Sequence, residues 1–143
     1  MSKKGTQIKS ERQKERLTHF PSWYWKNGLH DAMILSVREL DLAPDYKQMN
    51  PKRNCLEFLL NSENAIYETS IKRISLYNYR ILCTKTNDVK PITLEEFQNT
   101  YWLGDSIEQL ENNIYLLEIE CTDSHSNLMY LSVKFEIPEI ERE

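Results

Sequence analysis

His30 and Asp31 are adjacent, the one His-Asp pair in the chain. A histidine oriented by a carboxylate is a general base or a metal ligand when the two side chains meet. Neighbouring residues of an extended strand point to opposite faces, so this pair needs a turn to work as a unit. Phosphohydrolases built on a His-Asp pair also bring further His and Asp ligands. Here the other histidines are His19 and His125, one in an N-terminal segment and one in a polar turn. The structural reading is that His30 and Asp31 cap the Asn27-Gly28 turn and set the start of the first strand. The functional reading makes Trp23, Trp25, His30 and Asp31 the lining of a small-ligand or catalytic pocket.

A second candidate is the acidic set Glu118, Glu120 and Glu136. A calcium or magnesium site needs converging oxygens, and alternate positions on a flat strand face diverge, so no metal is expected. Ser106 and Ser132 lack a G-x-S-x-G context, and neither a P-loop nor a G-x-G-x-x-G is present. Cys55, Cys83 and Cys121 are odd in number, without a C-x-x-C pair. They read as reduced thiols in a cytoplasmic protein, with Cys83 and Cys121 inert in apolar strands. No cofactor and no catalytic residue is expected.

The charge pattern carries more. From Pro91 to Glu143 there are twelve Asp or Glu residues and two basic ones, Lys134 and Arg142; residues 1–16 hold six Lys or Arg against two Glu. The net charge of -4 therefore hides a basic start and an acidic end. Segregated charge speaks of partners rather than of fold. The basic start reads as a mobile tail over residues 1–18, followed by one domain over 19–143. Nucleic acid is expected only through that tail. No apolar run approaches the ~18 residues of a membrane span.

The elements that would position these groups follow from periodicity. Phe20, Trp23, Tyr24 and Trp25 form either a flap over the core or an exposed platform, and the flap is favoured because aromatic rings mainly supply buried area. Met33, Leu35 and Val37 alternate with polar positions, and a phase slip near Glu39 suggests a bulge. Leu56, Phe58 and Leu60 make a second strand. Ala65–Thr84 holds one or two more: Ile66, Ile74 and Leu76 in one phase, then Tyr77, Tyr79, Ile81 and Cys83 in the other. Thr93–Glu96 and Asp105–Glu108 fit helix capping boxes. The clearest signal is a hairpin. Tyr115, Leu117, Ile119 and Cys121, then Leu131, Val133, Phe135 and Ile137, face in around a turn at 122–127. The class is α+β, mainly β, with a single antiparallel sheet or sandwich and one or two short helices.

The stretch Trp25-Lys-Asn-Gly-Leu-His-Asp-Ala-Met-Ile-Leu-Ser-Val resembles the opening of several small bacterial β-rich families. In those, a Trp or Phe and a His-Asp pair precede the first strand. Ile74-Ser-Leu-Tyr-Asn, Tyr101-Trp-Leu and the strand Ile114–Ile119 are similar to their later segments. Some of these families are immunity proteins of polymorphic toxin systems. The resemblance spans residues 23–137 and implies a mainly antiparallel protein without enzymatic activity; it carries over no functional residue.

The expectation is a non-catalytic module that binds a basic protein, such as a toxin or nuclease domain, through Glu118, Glu120, Glu136, Glu139 and Glu141 on one sheet edge. The alternatives are the ligand pocket above and a homodimer or larger homo-oligomer that pairs through an open strand edge.

Overall fold

Alternating apolar and polar residues build strands through about half of the described residues: β1 (Met33–Asp41), β2 (Asn54–Asn61), β3 (Ile71–Tyr77), β4 (Arg80–Thr86), β5 (Thr100–Glu111), β6 (Ile114–Thr122), β7 (Leu128–Phe135) and β8 (Ile137–Arg142). The structure is a computed structural model that describes residues 20–143. The expected mobile tail, residues 1–18, lies outside the described residues.

The strands form one antiparallel sheet in the order β4-β7-β6-β5-β1-β2-β3-β8. Its two edge strands continue strands from the opposite end. β3 runs into β4 through Asn78 and Tyr79, and β7 into β8 through Glu136. The two ladders are one ribbon: Tyr77 pairs with Ile137, and Arg80 with Lys134. The Glu136 N–H donates to the Tyr77 carbonyl at 3.1 Å between them. The sheet therefore bends over on itself. Its halves, β1-β2-β3-β8 and β5-β6-β7-β4, meet across β1 and β5 in two residue pairs, Met33 with Tyr101 and Ile34 with Thr100.

Asn78 makes the bend between β3 and β4. Its φ is 55°, a left-handed conformation that asparagine tolerates better than most residues. Its side chain accepts from the Arg53 N–H at 2.7 Å and donates to the Pro51 carbonyl at 3.0 Å. The bend reverses which alternate residues face in, so Ile74 and Leu76 are buried before it while Tyr79 and Ile81 pack inward after it. That is the phase change legible in the sequence.

The core lies between the halves. Ile34, Val37, Leu56, Phe58, Ile74 and Leu76 of one meet Trp102, Leu117, Ile119, Leu131, Val133 and Phe135 of the other. Burying side chains of this size removes roughly 1.5–3 kcal/mol of apolar exposure each.

The structure corrects several expectations. No α-helix occurs among the described residues, so the α+β label gives way to a nearly all-β fold. The Thr93 box yields only a four-residue 3-10 turn, Leu94–Phe97, where the Glu96 carboxylate accepts from the Thr93 N–H at 2.7 Å. The second box, Asp105–Glu108, lies inside β5. There Asp105, Ser106, Ile107 and Glu108 pair with Ile119, Glu118, Leu117 and Leu116, so a continuous ladder overrides a local four-residue pattern. The bulge in β1 falls between Ile34 and Ser36 rather than near Glu39. It turns Leu35 outward and lets Ile34 and Val37, three apart, both face the core. The apolar run Met33-Ile34-Leu35 conceals this, since any of the three can be read as inward. Ile66 is half exposed in the loop before β3 instead of joining its inward row.

Candidate functional site

Residues 20–32 precede β1 as a strap across the end of the core. Pro21 and the turn of hydrogen bonds Tyr24 N–H to Pro21 O and Gly28 N–H to Trp25 O fold it tightly. Gly28 must be glycine: a Cβ there would lie 2.8 Å from the Glu68 side chain and 2.9 Å from the Trp25 carbonyl. Tyr24 and Trp25 are buried, and Trp23 sets its ring edge-on against Tyr115 and Phe135 at centroid separations of 5.4 and 5.7 Å. The flap reading of this aromatic cluster is the one the structure shows.

The strap is stitched to residues 102–105 of β5. The Asp31 N–H donates to the Trp102 carbonyl and the Trp102 N–H to the Ala32 carbonyl, each at 2.8 Å. His30 Nδ1 lies 2.5 Å from the Leu103 carbonyl oxygen, and the Asp105 N–H donates to Asn27 Oδ1 at 2.9 Å.

The Asp105 carboxylate is the centre of this seam. Its Oδ2 accepts from the indole N–H of Trp25 at 2.7 Å and of Trp102 at 2.8 Å, and its Oδ1 accepts from the Tyr24 hydroxyl. It has no ion-pair partner among the described residues. Burial pushes the Asp105 carboxyl above the usual carboxylate range, while the three donors pull it back in part. The same burial, with Asp105 beside it, pushes the Tyr24 phenol up.

Outside this seam, across the solvent face of β5, β6 and β7, runs a groove of about 550 Å³. Asn27, Gly104, Asp105, Ser106, Glu118, Glu120, Tyr130 and Ser132 line it. Its shape follows from register. Glu120 stands between Gly104 and Tyr130, and Glu118 between Ser106 and Ser132, so Glu118 has a small residue on each side and Glu120 has one. Neither Glu118 nor Glu120 has a salt bridge or side-chain hydrogen bond among the described residues. Lys85 of β4 pairs with Tyr130 and holds its Nζ 5.9 Å from that ring's centroid.

The other three carboxylates of the expected acidic face are elsewhere and engaged. Glu136 meets Arg53 at 3.2 Å, Glu139 meets Lys52 at 2.5 Å, and Glu141 meets Lys72 at 3.2 Å and Arg73 at 3.0 Å. Glu57, buried on the same outer surface, holds Arg38 at 2.5 Å and Arg73 at 3.7 Å. The five acids thus do not share one edge. The half-sheet of β1, β2, β3 and β8 pairs its acids with its own cations, and that of β5, β6 and β7 presents Glu118 and Glu120 without a salt bridge among the described residues.

His30 Nε2 is 3.5 Å from Asp31 Oδ1, but that carboxylate is more than half exposed, and His30 Nδ1 is committed to Leu103. Asp31 has φ of 74°, which is how adjacent residues here come to face each other. Trp25 faces Trp102 in the core and Trp23 packs on Tyr115 and Phe135, so the side chains of Trp23, Trp25, His30 and Asp31 line no part of the groove.

No group of three or more His, Cys, Asp or Glu side chains with metal-binding geometry occurs among the described residues. No described helix is long and apolar enough to cross a membrane. Burial pushes the Cys121 thiol up to about 12 and the Cys55 thiol above its ordinary value.

Sequence reasoning placed Asp105 at a helix start and missed its role. No local pattern marks it: Asp105 is placed beside the core by its pairing with Ile119 across the ladder. Compared with protein-family models, curated proteins and solved structures, the chain shows no match.

Proposed function

We propose that this protein is a non-catalytic binding module that engages a basic protein surface through the outer face of β5, β6 and β7. The kind of protein it would then be is an immunity-like inhibitor of a basic toxin or nuclease domain. One observation carries this reading: Glu118 and Glu120 line a groove without a salt bridge among the described residues, while Glu136, Glu139 and Glu141 are already bonded within the chain. Gly104, Ser106 and Ser132 leave room for an incoming Lys or Arg head group. The Tyr130 ring offers a face for a guanidinium, and Asn27 and the serine hydroxyls offer further acceptors. A field of this sign speeds association with basic partners and disfavours acidic ones.

The test is retention of a panel of purified basic nuclease domains on the immobilised chain at low and at moderate salt. The expected result is a retained domain whose binding weakens with salt and is lost in the Glu118→Lys, Glu120→Lys double variant. Retention of no domain at either salt, or retention that ignores the charge reversal, sinks the proposal.

A further inference from the structure

The outer face of β5, β6 and β7 continues onto β4, and its charges are sorted by strand. One row across the four strands reads Gly104, Glu120, Tyr130 and Lys85. The next row holds Glu118 on β6. Beyond it Lys134 of β7 stands directly opposite Arg80 of β4, with Leu116 of β6 on its other side. Glu118 and Glu120 thus share β6, while Lys85, Lys134 and Arg80 share β7 and β4. Lys134 and Arg80 have no salt bridge or side-chain hydrogen bond among the described residues. Like charges set opposite each other on neighbouring strands cost stability rather than add it. Folding therefore leaves two stripes of opposite sign side by side, neither answered within the half-sheet.

We propose that a second copy of this chain docks face to face on β4, β5, β6 and β7, about a two-fold axis that runs along the strands between β6 and β7. Such an axis makes the contact isologous, so one surface must complement itself. It lays β7 of one copy on β6 of the other, and β4 on β5. Tyr130 comes over Glu120, Lys85 over Gly104, and Lys134 beside Glu118, each contact twice by symmetry. Shape follows the same division as charge. The bulky side chains Tyr130 and Lys85 meet a glycine and the groove that it helps to line. An axis across the strands would instead set Glu118 and Glu120 against their own copies, so charge selects the first arrangement.

The size of the patch sets the strength. Four strands about 4.8 Å apart and three rows about 6.7 Å apart cover on the order of 400 Å² per copy. That is about half of a standard interface, the range of transient contacts. The dimer is therefore weak and salt-sensitive. It covers the groove at high concentration and gives it up to a tighter partner. The inference does not rest on the basic partner proposed above, because it is tested on the chain alone.

The experiment is sedimentation equilibrium of the full chain from micromolar to millimolar concentration, at low and high salt, with reductant present so that Cys83 forms no disulfide. Two variants are compared with the wild type: Glu118→Lys with Glu120→Lys, whose face is basic throughout, and Arg80→Glu with Lys134→Glu, which reverses the cation pair. The wild-type mass is expected to rise with concentration toward that of two chains, and to rise less at high salt. Each variant alone is expected to associate about tenfold or more weakly. A one-to-one mixture of the two variants is expected to associate again, because each then meets the opposite sign. That recovery also shows that both variants are folded. A wild-type mass of one chain at every concentration overturns the proposal, as does growth past two chains. Association that ignores both salt and the reversals, as pairing through a strand edge would give, overturns it too. So does a mixture that associates no better than its components.

Discussion

Asp105 and Trp25, eighty positions apart in sequence, meet through an indole hydrogen bond of 2.7 Å. The Trp102 indole reaches the same oxygen at 2.8 Å. Trp102→Phe keeps a ring in the core but removes that donor and leaves a gap. The expected cost is about 2–4 kcal/mol, the sum of a hydrogen bond to a charged acceptor and a partial cavity. Trp23→Phe removes no hydrogen bond among the described residues and trims a half-buried ring, for about 1 kcal/mol. Urea unfolding of the two variants checks the order; equal losses would refute the role given to the indole donor.

Two aspartates give stability opposite slopes in pH. Burial raises the folded-state value of Asp105 above that of the unfolded chain, so its contribution is intact below the unfolded value, about 4, and is lost as pH rises through the folded one. Asp123 is the reverse. It accepts from the N–H groups of His125 and Asn127 and from the Asn127 amide, and these bonds hold its carboxyl below the ordinary range. Its contribution is present above the unfolded value and is lost as pH falls through the lowered one. Unfolding measured from pH 3 to 7 is expected to give a shallower decline toward neutral pH in Asp105→Asn, and a shallower decline toward acid in Asp123→Asn.

The bend at Asn78 separates backbone from side-chain effects. Asn78→Gly keeps the left-handed φ at no steric cost but abandons the bonds to Arg53 and Pro51, for about 1–2 kcal/mol. Asn78→Val adds a β-branched strain at φ 55° and costs about 2–4 kcal/mol in total. Thermal unfolding ranks the two, and a valine variant as stable as the glycine one contradicts this account of the bend.

The charge layout predicts where acids matter for folding. Glu57→Ala leaves Arg38 and Arg73 without their shared carboxylate, yet both are partly exposed and regain water, so the cost is about 1–2 kcal/mol. Glu118→Ala and Glu120→Ala stay within about 0.5 kcal/mol of the wild type, as surface changes without partners do. Denaturant midpoints for the three variants settle this.

Thiol chemistry offers a separate check. A thiol-specific reagent at mildly alkaline pH is expected to modify Cys83, which is partly exposed, in the folded protein. Cys55 and Cys121 are buried, with raised thiols, and react only on unfolding. Modification of all three at one rate would contradict the buried placement of the other two.

The strands were legible where alternation was regular. Leu56, Phe58 and Leu60, and Leu117, Ile119, Leu131 and Val133, face inward as their spacing implies, because a half-buried strand leaves a period of two in the sequence. The helix at Asp105 was misread because a capping box is four residues of local chemistry, while β5 is fixed by the pairing of Ser106 with Glu118 and Ile107 with Leu117. The acidic face divided for the same reason. Glu136, Glu139 and Glu141 find Arg53, Lys52, Lys72 and Arg73 across more than sixty positions of sequence, a proximity no local pattern encodes. The strap's burial could be argued from its aromatic content, but the convergence of two indoles and a phenol on Asp105 depends on tertiary approach alone.

The ribbon that joins β3-β4 to β7-β8 also sets an order of events during synthesis. Its two members are separated by more than forty residues, and β8, which covers the outer edge of β3, is synthesised well after it. Until it emerges, Ile71–Tyr77 presents unpaired backbone groups beside an incomplete core, the kind of edge that recruits other chains. A chain that stops at Phe135 would therefore keep nearly every core side chain in place. It would still move the open edge of the sheet from β8, which carries Pro138 and charged side chains, to β3.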